Sequence, residues 1–345
     1  MITGPTGSGK SAFAVDVAKL FNGEIINADS VQVYQGADIG SAKPSAAEQR
    51  QVPHHLLSHL ALEEDFDVGQ FRLAAGKCIA DITGRGKLPI VCGGTGLYVR
   101  ALLSGLVATP EITPEARERL AARSDSTHLH AWLADLDPYT AESLEPHDRA
   151  RLERALLVTL SSGLSLRRLQ DEHRHQEKIY RALVICFLPE REALNRILDA
   201  RIDEMLAVGF LDEADKLRRL SPQSRVWSTL GYRHACMQQD GVFDSEQMLD
   251  EWKRDTRRFA KRQYTWWRHQ PRVLGWQQVS FDGSRTELNV KSEADAPITD
   301  RLSDAIKCFL ERREAFSADD VFFLVIENFA NKKNVLNMSG AHCQE

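Results

Sequence analysis

Through the first hundred residues, short apolar runs alternate with amphipathic stretches. Glu24–Ala28 and Leu88–Cys92 are too short and too apolar for exposed helices and read as buried strands. Ala12–Phe21 and Val68–Ile82 carry the wider spacing of helices. Such alternation predicts a parallel sheet covered by helices, with its chemistry at the carboxyl ends of the strands. The pattern changes near Pro110. Pro114–Ala122, His128–Asp135 and Asp148–Ser161 are charged and helical, with no strand between them, so residues 111–178 read as a helical insertion. Ile179–Leu188 returns to strand character and is expected to rejoin the sheet. A helix over Glu192–Val208 follows, stopped by Gly209, with Leu194, Ile197, Leu198, Ile202 and Met205 as its buried stripe and Arg201 off that stripe. A further helix covers Ser245–Arg268. The organisation is therefore a core of 1–110 and 179–280, the insertion 111–178, and a tail 281–345. The tail is polar to about residue 300 and then carries one or two plausible helices.

Composition narrows the class without naming a function. The 345 residues are 43% hydrophobic and 27% charged, as in ordinary globular proteins. Six scattered cysteines show neither CxxC nor zinc-finger spacing, which points to reduced thiols in a cytoplasmic setting and away from a structural zinc. No run approaches a membrane span. A formal charge of −5 does not announce a nucleic-acid partner, so any such partner must meet a local basic patch.

Two segments carry chemistry. Gly4-Pro5-Thr6-Gly7-Ser8-Gly9-Lys10-Ser11 fits G-x-x-x-x-G-K-[ST] at every fixed position. Its glycines turn backbone N–H groups onto a polyphosphate, Lys10 adds a point charge, and the Ser11 hydroxyl can reach a divalent metal. The fold expected is thus α/β, a P-loop NTPase-like parallel sheet. Only Met1–Thr3 precede the loop, where a strand of about five residues is usual. The expectation is that the true start lies upstream. Asp29 and Ser30 follow the second strand directly and face the cradle. Asp29 can serve as a metal-bound acid, as a general base, or as a helix cap. Gly93–Gly96 is a second glycine turn that makes Thr95 a substrate-contact candidate. His54 and His55 lack a carboxylate at metal spacing and read as surface or substrate-loop residues.

The second segment is Trp252–Arg272, with eight Lys/Arg against one acid, Asp255. Arg254, Arg258 and Arg262 recur every four residues and share a helical face suited to phosphate backbone. Trp252, Phe259 and Trp266 recur every seven on another face and read as core.

In this order these pieces resemble the tRNA dimethylallyltransferase family (tRNA isopentenyltransferases) of bacterial type, over about residues 1–275. The residues that carry the resemblance are GPTGSGKS at 4–11, NADSVQVYQGADIGSAKP at 27–44, VPHHL at 52–56 and GGTGLYVRALLSGL at 93–106. RLERAL at 151–156, RILDARIDEMLAVGFLDE at 196–213, LGYR at 230–233 and FAKRQYTWWR at 259–268 complete the set. The resemblance implies that the cradle holds dimethylallyl diphosphate with Mg²⁺. The prenyl group would pass to N6 of adenosine-37 beside the tRNA anticodon, releasing pyrophosphate. It implies Asp29 as base, with Lys10 and Arg201 stabilising the leaving group. Contacts with the tRNA anticodon stem-loop are implied at Asp29, Ser30, Val31, Gln32, Thr95, Arg117, Ala150, Arg151, Leu152, Glu153, Arg154, Ser228, Thr229, Leu230, Gly231, Tyr232 and Arg233. Ala150 stands where many members have Gln. The tail has no counterpart and lacks the zinc finger of eukaryotic relatives. A monomer is expected.

Three other readings are open from the residues. A P-loop kinase would use the phosphate loop and Asp29 but leave the basic helix and the Arg-rich 149–154 without purpose. A prenyltransferase acting on free adenine nucleotides would need neither the insertion nor the basic face. An RNA-binding protein with a vestigial site conflicts with an intact Lys10, Ser11 and Asp29.

Overall fold

The computed structural model describes residues 1–123, 128–173, 180–273, 277–280, 306–307, 310 and 321–327. Most of the tail 281–345 and the side chain of Arg272 therefore lie outside the described residues. The chain divides into two compact units, Met1–Leu103 with Lys178–Glu345, and Ser104–Glu177.

The first unit is built on a parallel sheet. Strands β1 (Ile2–Thr3), β2 (Gly23–Asn27), β3 (His54–His55), β4 (Leu88–Gly93), β5 (Ala182–Leu188), β6 (Gln277–Ser280) and β7 (Val321–Glu327) lie in the order β3-β2-β4-β1-β5-β7-β6. The two-residue β1 sits between β4 and β5, with Ile2 opposite both Cys92 and Ile185. Helices α1 (Lys10–Leu20), α2 (Ala46–Gln49), α3 (Val68–Gly84) and α4 (Gly96–Ser104) belong to the first half of the sheet. The expected strand over 24–28 and that over 88–92 are present within a residue. The 321–327 segment differs from the expectation of helices in the tail. It pairs with β5 along its whole length, and its VFFLVIE sequence is dense in β-branched and aromatic residues, which favour strands.

β5 is buried at all seven positions, as a parallel strand covered on both faces must be. Leu183, Ile185 and Phe187 pack with Phe13 and Val17 of α1. The alternate Val184, Cys186 and Leu188 pack with Phe71 of α3, Val99 of α4 and Trp267. Phe13 meets Phe187 edge-on at 5.2 Å, and Phe71 stacks on Tyr98 at 4.2 Å. α3 starts in a capping box in which Asp67 and Gln70 satisfy each other's backbone N–H groups.

The rest of the unit is helical: α10 (Arg191–Ala207), α11 (Phe210–Leu220), α12 (Tyr232–Gln239) and α13 (Ser245–Val273). Leu194, Leu198 and Ile202 of α10 are buried as expected, while Ile197 and Met205 are only partly covered. The second unit consists of α5 (Pro114–Ala121), α6 (Leu129–Leu136), α7 (Pro138–Ala141), α8 (Arg149–Ser162) and α9 (Leu166–His173). Its own core includes Leu129, Leu133, Leu152 and Leu156.

Candidate active site

The loops leaving β1, β2 and β4 at their carboxyl ends converge as the topology requires. Gly4, Gly7 and Gly9 have φ of 141°, 77° and 85°, a region that L side chains avoid. Space demands glycine as well. A Cβ on Gly4 would stand 2.5 Å from the Phe187 carbonyl oxygen, and one on Gly7 would stand 2.9 Å from Leu198. The loop ends at the N-terminus of α1, where free N–H groups and the helix dipole favour an anion.

Two cavities open here. One, about 360 Å³, is lined by Gly7, Gly9, Lys10, Ser11, Asp29, Gln32 and Arg201, among others. The other, about 530 Å³, includes Thr95, Ser228, Thr229, Leu230, Arg233, Arg258, Phe259 and Arg262. Thr6, Lys10, Asp29, Ser41, Ala42 and Arg201 line both. They form the wall common to the two chambers.

That wall is short of negative charge. Burial pushes the Lys10 pKa down; Cys92 and Asp29 act against this, while Arg201 adds to it. Burial likewise lowers Arg201, with Asp29, Glu204 and Glu48 opposing it. Lys10 Nζ donates to the Pro5 carbonyl at 3.2 Å, and Arg201 Nη2 to the Ala42 carbonyl at 3.4 Å. Among the described residues neither cation makes a salt bridge with a carboxylate. Ser8 Oγ is buried with no hydrogen-bond partner among the described residues. Two desolvated cations, an unpaired hydroxyl and a helix N-terminus constitute a site for a polyanion. The Cys92 thiol beneath Lys10 is pushed up to about 11 by burial and stays protonated.

Asp29 realises part of the capping alternative. Its Oδ1 accepts from the Val31 and Gln32 N–H groups at 2.9 and 3.3 Å. Oδ2 takes no hydrogen bond among the described residues. The Ser30 N–H donates to Thr95 Oγ1 at 3.3 Å, which joins the loops after β2 and β4. Ser11 is exposed at the cavity of Lys10. Among the described residues no group of three His, Cys, Asp or Glu is placed to hold a metal unaided.

The sequence-predicted contact residues separate into two sets. Asp29, Ser30, Val31, Thr95, Ser228, Thr229, Leu230, Arg233, Arg258 and Arg262 line the larger cavity, and Gln32 the smaller. Arg117, Ala150, Arg151 and Arg154 are exposed on the second unit, and Glu153 is partly so. Arg149 Nε donates to Glu153 Oε1 at 2.6 Å, and Arg154 Nη2 to Thr109 Oγ1 at 2.7 Å.

Two assignments are corrected. Leu152 is 0% exposed in the core of the second unit, and Tyr232 is 0% exposed with its hydroxyl on Glu213 Oε1 at 2.7 Å. Neither side chain can touch a partner. Gly231 beside Tyr232 is buried as well; a Cβ there would stand 2.9 Å from Trp252. Tyr232 shows what its LGYR segment does. Glu213 also accepts the N–H groups of Asp38, Ile39 and Gly40 at 3.0, 2.8 and 3.0 Å, so this pair anchors the loop that holds Ser41 and Ala42 in the cavity wall.

The basic face of α13 is less bare than its composition. Lys253 pairs with Asp203 and Arg257 with Asp199, each at 2.6 Å, and Arg254 pairs with Glu251. Asp255 holds Arg233, and Arg258 at 3.4 Å. Arg262 lies over the Phe259 ring at 5.8 Å. Of the aromatics, Trp252 is core as expected, though it and the less buried Phe259 both line the larger cavity. The fully buried tryptophan further along is Trp267, not Trp266. His54 and His55 form the edge strand β3, where His55 Nε2 meets Glu24 at 2.7 Å.

Sequence reasoning also missed Gln263, whose side chain reaches both the phosphate loop and the turn after β4. The only signal was its place in the FAKRQYTWWR segment.

The chain is similar to known proteins. The family profile described as IPP transferase matches residues 32–270. The tRNA dimethylallyltransferase 1 of Trichlorobacter lovleyi is 45% identical over 80% of this chain and 92% of its own length. The tRNA dimethylallyltransferase of Geobacter metallireducens is 41% identical over 79% and 90%. Among solved structures, the full-length tRNA isopentenylpyrophosphate transferase of Bacillus halodurans superposes with a TM-score of 0.57 at 35% identity, covering 77% of this chain and 85% of its own. A eukaryotic dimethylallyltransferase acting on tRNA superposes with a TM-score of 0.67 at 30% identity, covering 77% and 68%. With a family profile spanning more than half its length and relatives this similar, the chain belongs to the IPP transferase family.

Proposed function

We propose that this protein transfers the dimethylallyl group of dimethylallyl diphosphate to N6 of adenosine-37 in tRNA, giving N6-dimethylallyladenosine and pyrophosphate. The observation that carries the reading is the wall shared by the two chambers: Lys10, Asp29 and Arg201 line both. The smaller chamber suits a diphosphate and the larger an acceptor base. The relatives named as tRNA dimethylallyltransferases supply the reaction class.

The chemistry follows from the residues. The N6–C bond forms as the allylic C–O bond breaks, and the bonding pair leaves with the diphosphate. Charge then grows on oxygens beside Lys10, Arg201 and the backbone N–H groups that begin α1. Those cations are already desolvated, so they stabilise that charge more strongly than they would in water. Adenine N6 is a weak nucleophile, and Asp29 accepts its proton as attack proceeds. The target base must leave its stack to reach the chamber. Arg258 and Arg262 at its rim suit the phosphate backbone. Ser11, with diphosphate oxygens, would hold Mg²⁺, an ion that shares its shell with phosphate and water. When bound, it neutralises charge on the departing diphosphate.

The test is incubation with labelled dimethylallyl diphosphate, Mg²⁺ and unmodified tRNA. Label should enter the RNA. Label appearing on AMP and not on tRNA would move the protein to the nucleotide-prenylating class, and phosphoryl transfer from ATP would support a kinase.

A further inference from the structure

Gln263 projects from α13 and makes two hydrogen bonds of opposite sense. Its Oε1 accepts from the Thr6 backbone N–H at 2.8 Å, and its Nε2 donates to the Gly94 carbonyl at 3.0 Å. Because one partner is a donor and the other an acceptor, the amide can be satisfied in a single orientation. The fit at the second contact is close: a Cβ on Gly94 would stand 2.6 Å from Nε2. Thr6 lies in the phosphate loop. Gly94 leads into Thr95, whose hydroxyl holds the Ser30 N–H beside Asp29. A single side chain thus joins the loop that grips the donor to the turn that supports the acceptor side. It arises from the helix that also carries Arg258 and Arg262 at the cavity.

We propose that Gln263 is a positioning residue for the transfer, a role that rests on the prenyl-transfer reading. It fixes the separation between the phosphate loop and the Gly93–Gly96 turn, so that the allylic carbon and N6 meet in line. It also commits the Thr6 N–H, which leaves the diphosphate to the later N–H groups of the loop. Each substrate would still bind its own wall if the tie were cut, but the two would be held at a looser mutual distance. Misplacement of reacting atoms by about 1 Å is enough to cost on the order of a hundredfold in rate.

The test uses the full chain with Gln263→Leu, similar in size and unable to make either bond. Gln263→Asn, polar but one methylene too short to span both, is the second variant. Pyrophosphate affinity and stoichiometry are measured by calorimetry with Mg²⁺, and kcat and KM are measured with tRNA. Both variants should lose about tenfold or more in kcat per pyrophosphate-binding site. Their pyrophosphate Kd and tRNA KM should stay within about threefold of the original. Counting sites by pyrophosphate separates lost positioning from lost folded protein. An unchanged kcat overturns the role. So does a kcat loss matched by an equal loss of pyrophosphate affinity, which would make Gln263 a prop for the loop alone. Absence of transfer by the unsubstituted protein would sink the functional reading and this role together; active parent and unaltered variants sink this role alone.

Discussion

Tyr232→Phe tests whether the LGYR segment builds the site or touches RNA. The Tyr232 ring is 0% exposed, edge-on to Phe210 at 5.4 Å and to Trp227 at 6.0 Å. Its hydroxyl donates to Glu213, and burial with that carboxylate holds its pKa far above the usual tyrosine value, so the bond persists at any working pH. Phenylalanine keeps the shape and removes one bond to a charged acceptor. Such bonds contribute about 1.5–3 kcal/mol. Glu213 Oε1 retains the Gly40 N–H at 3.0 Å, so it is not orphaned and the lower end applies, about 1.5 kcal/mol, or roughly tenfold in the folding equilibrium. Urea unfolding followed by tryptophan fluorescence should show a lower midpoint with an unchanged slope. Affinity for tRNA, measured well below the transition, should stay within about twofold and keep its salt dependence. A stability change under about 0.5 kcal/mol with a large loss of tRNA affinity would refute the argument and restore Tyr232 as an RNA contact.

Asp29→Ala should abolish transfer while pyrophosphate binding survives, since the diphosphate is held by Lys10, Arg201 and backbone; turnover in that variant removes Asp29 as the base. Arg258→Ala with Arg262→Ala should weaken tRNA binding and flatten its logarithmic salt slope by about 1–2, and an unchanged slope would make that face merely solvated. At the far side of the sheet, Glu24 has its side chain 3% exposed against Arg85, Lys87 and His55. The hydrogen bonds from Arg85, then Lys87 and His55, hold its carboxyl well below the usual range. With the folded pKa depressed, its stabilisation is complete above the unfolded value near 4.3 and is lost as pH falls below it. Glu24→Gln should therefore lower stability by about 2 kcal/mol near neutral pH and flatten the acid limb; an acid limb identical to the parent's would remove Glu24 as its cause.

Strands β2, β4 and β5 were legible because their buried positions appear as short apolar runs such as ALVICFL, and the phosphate loop because its glycines answer a backbone requirement no other residue meets; β3, β6 and β7 were not foreseen. Periodicity could not tell which face of α13 meets protein. Thus Trp267 is the fully buried ring while Trp266 packs only partly buried against the same core, and the carboxylates that pair with Lys253 and Arg257 come from α10, fifty or more residues away in sequence. Leu152 and Tyr232 show the limit of motif reasoning: a segment at a site includes the side chains that hold it as well as those that act. Glu213 and Gln263 were invisible for the same reason, since each is defined by backbone groups it reaches across the fold.

The central claim is that the phosphate loop holds a leaving group. Its most direct measurement is the product balance with dimethylallyl diphosphate and an unmodified anticodon stem-loop RNA: pyrophosphate by enzymatic assay and modified nucleoside by mass spectrometry after digestion. Equal amounts of pyrophosphate and N6-dimethylallyladenosine, confined to adenosine-37 and lost when that position is changed to guanosine, are the predicted result. Unmodified RNA alongside phosphoryl transfer from ATP would contradict it.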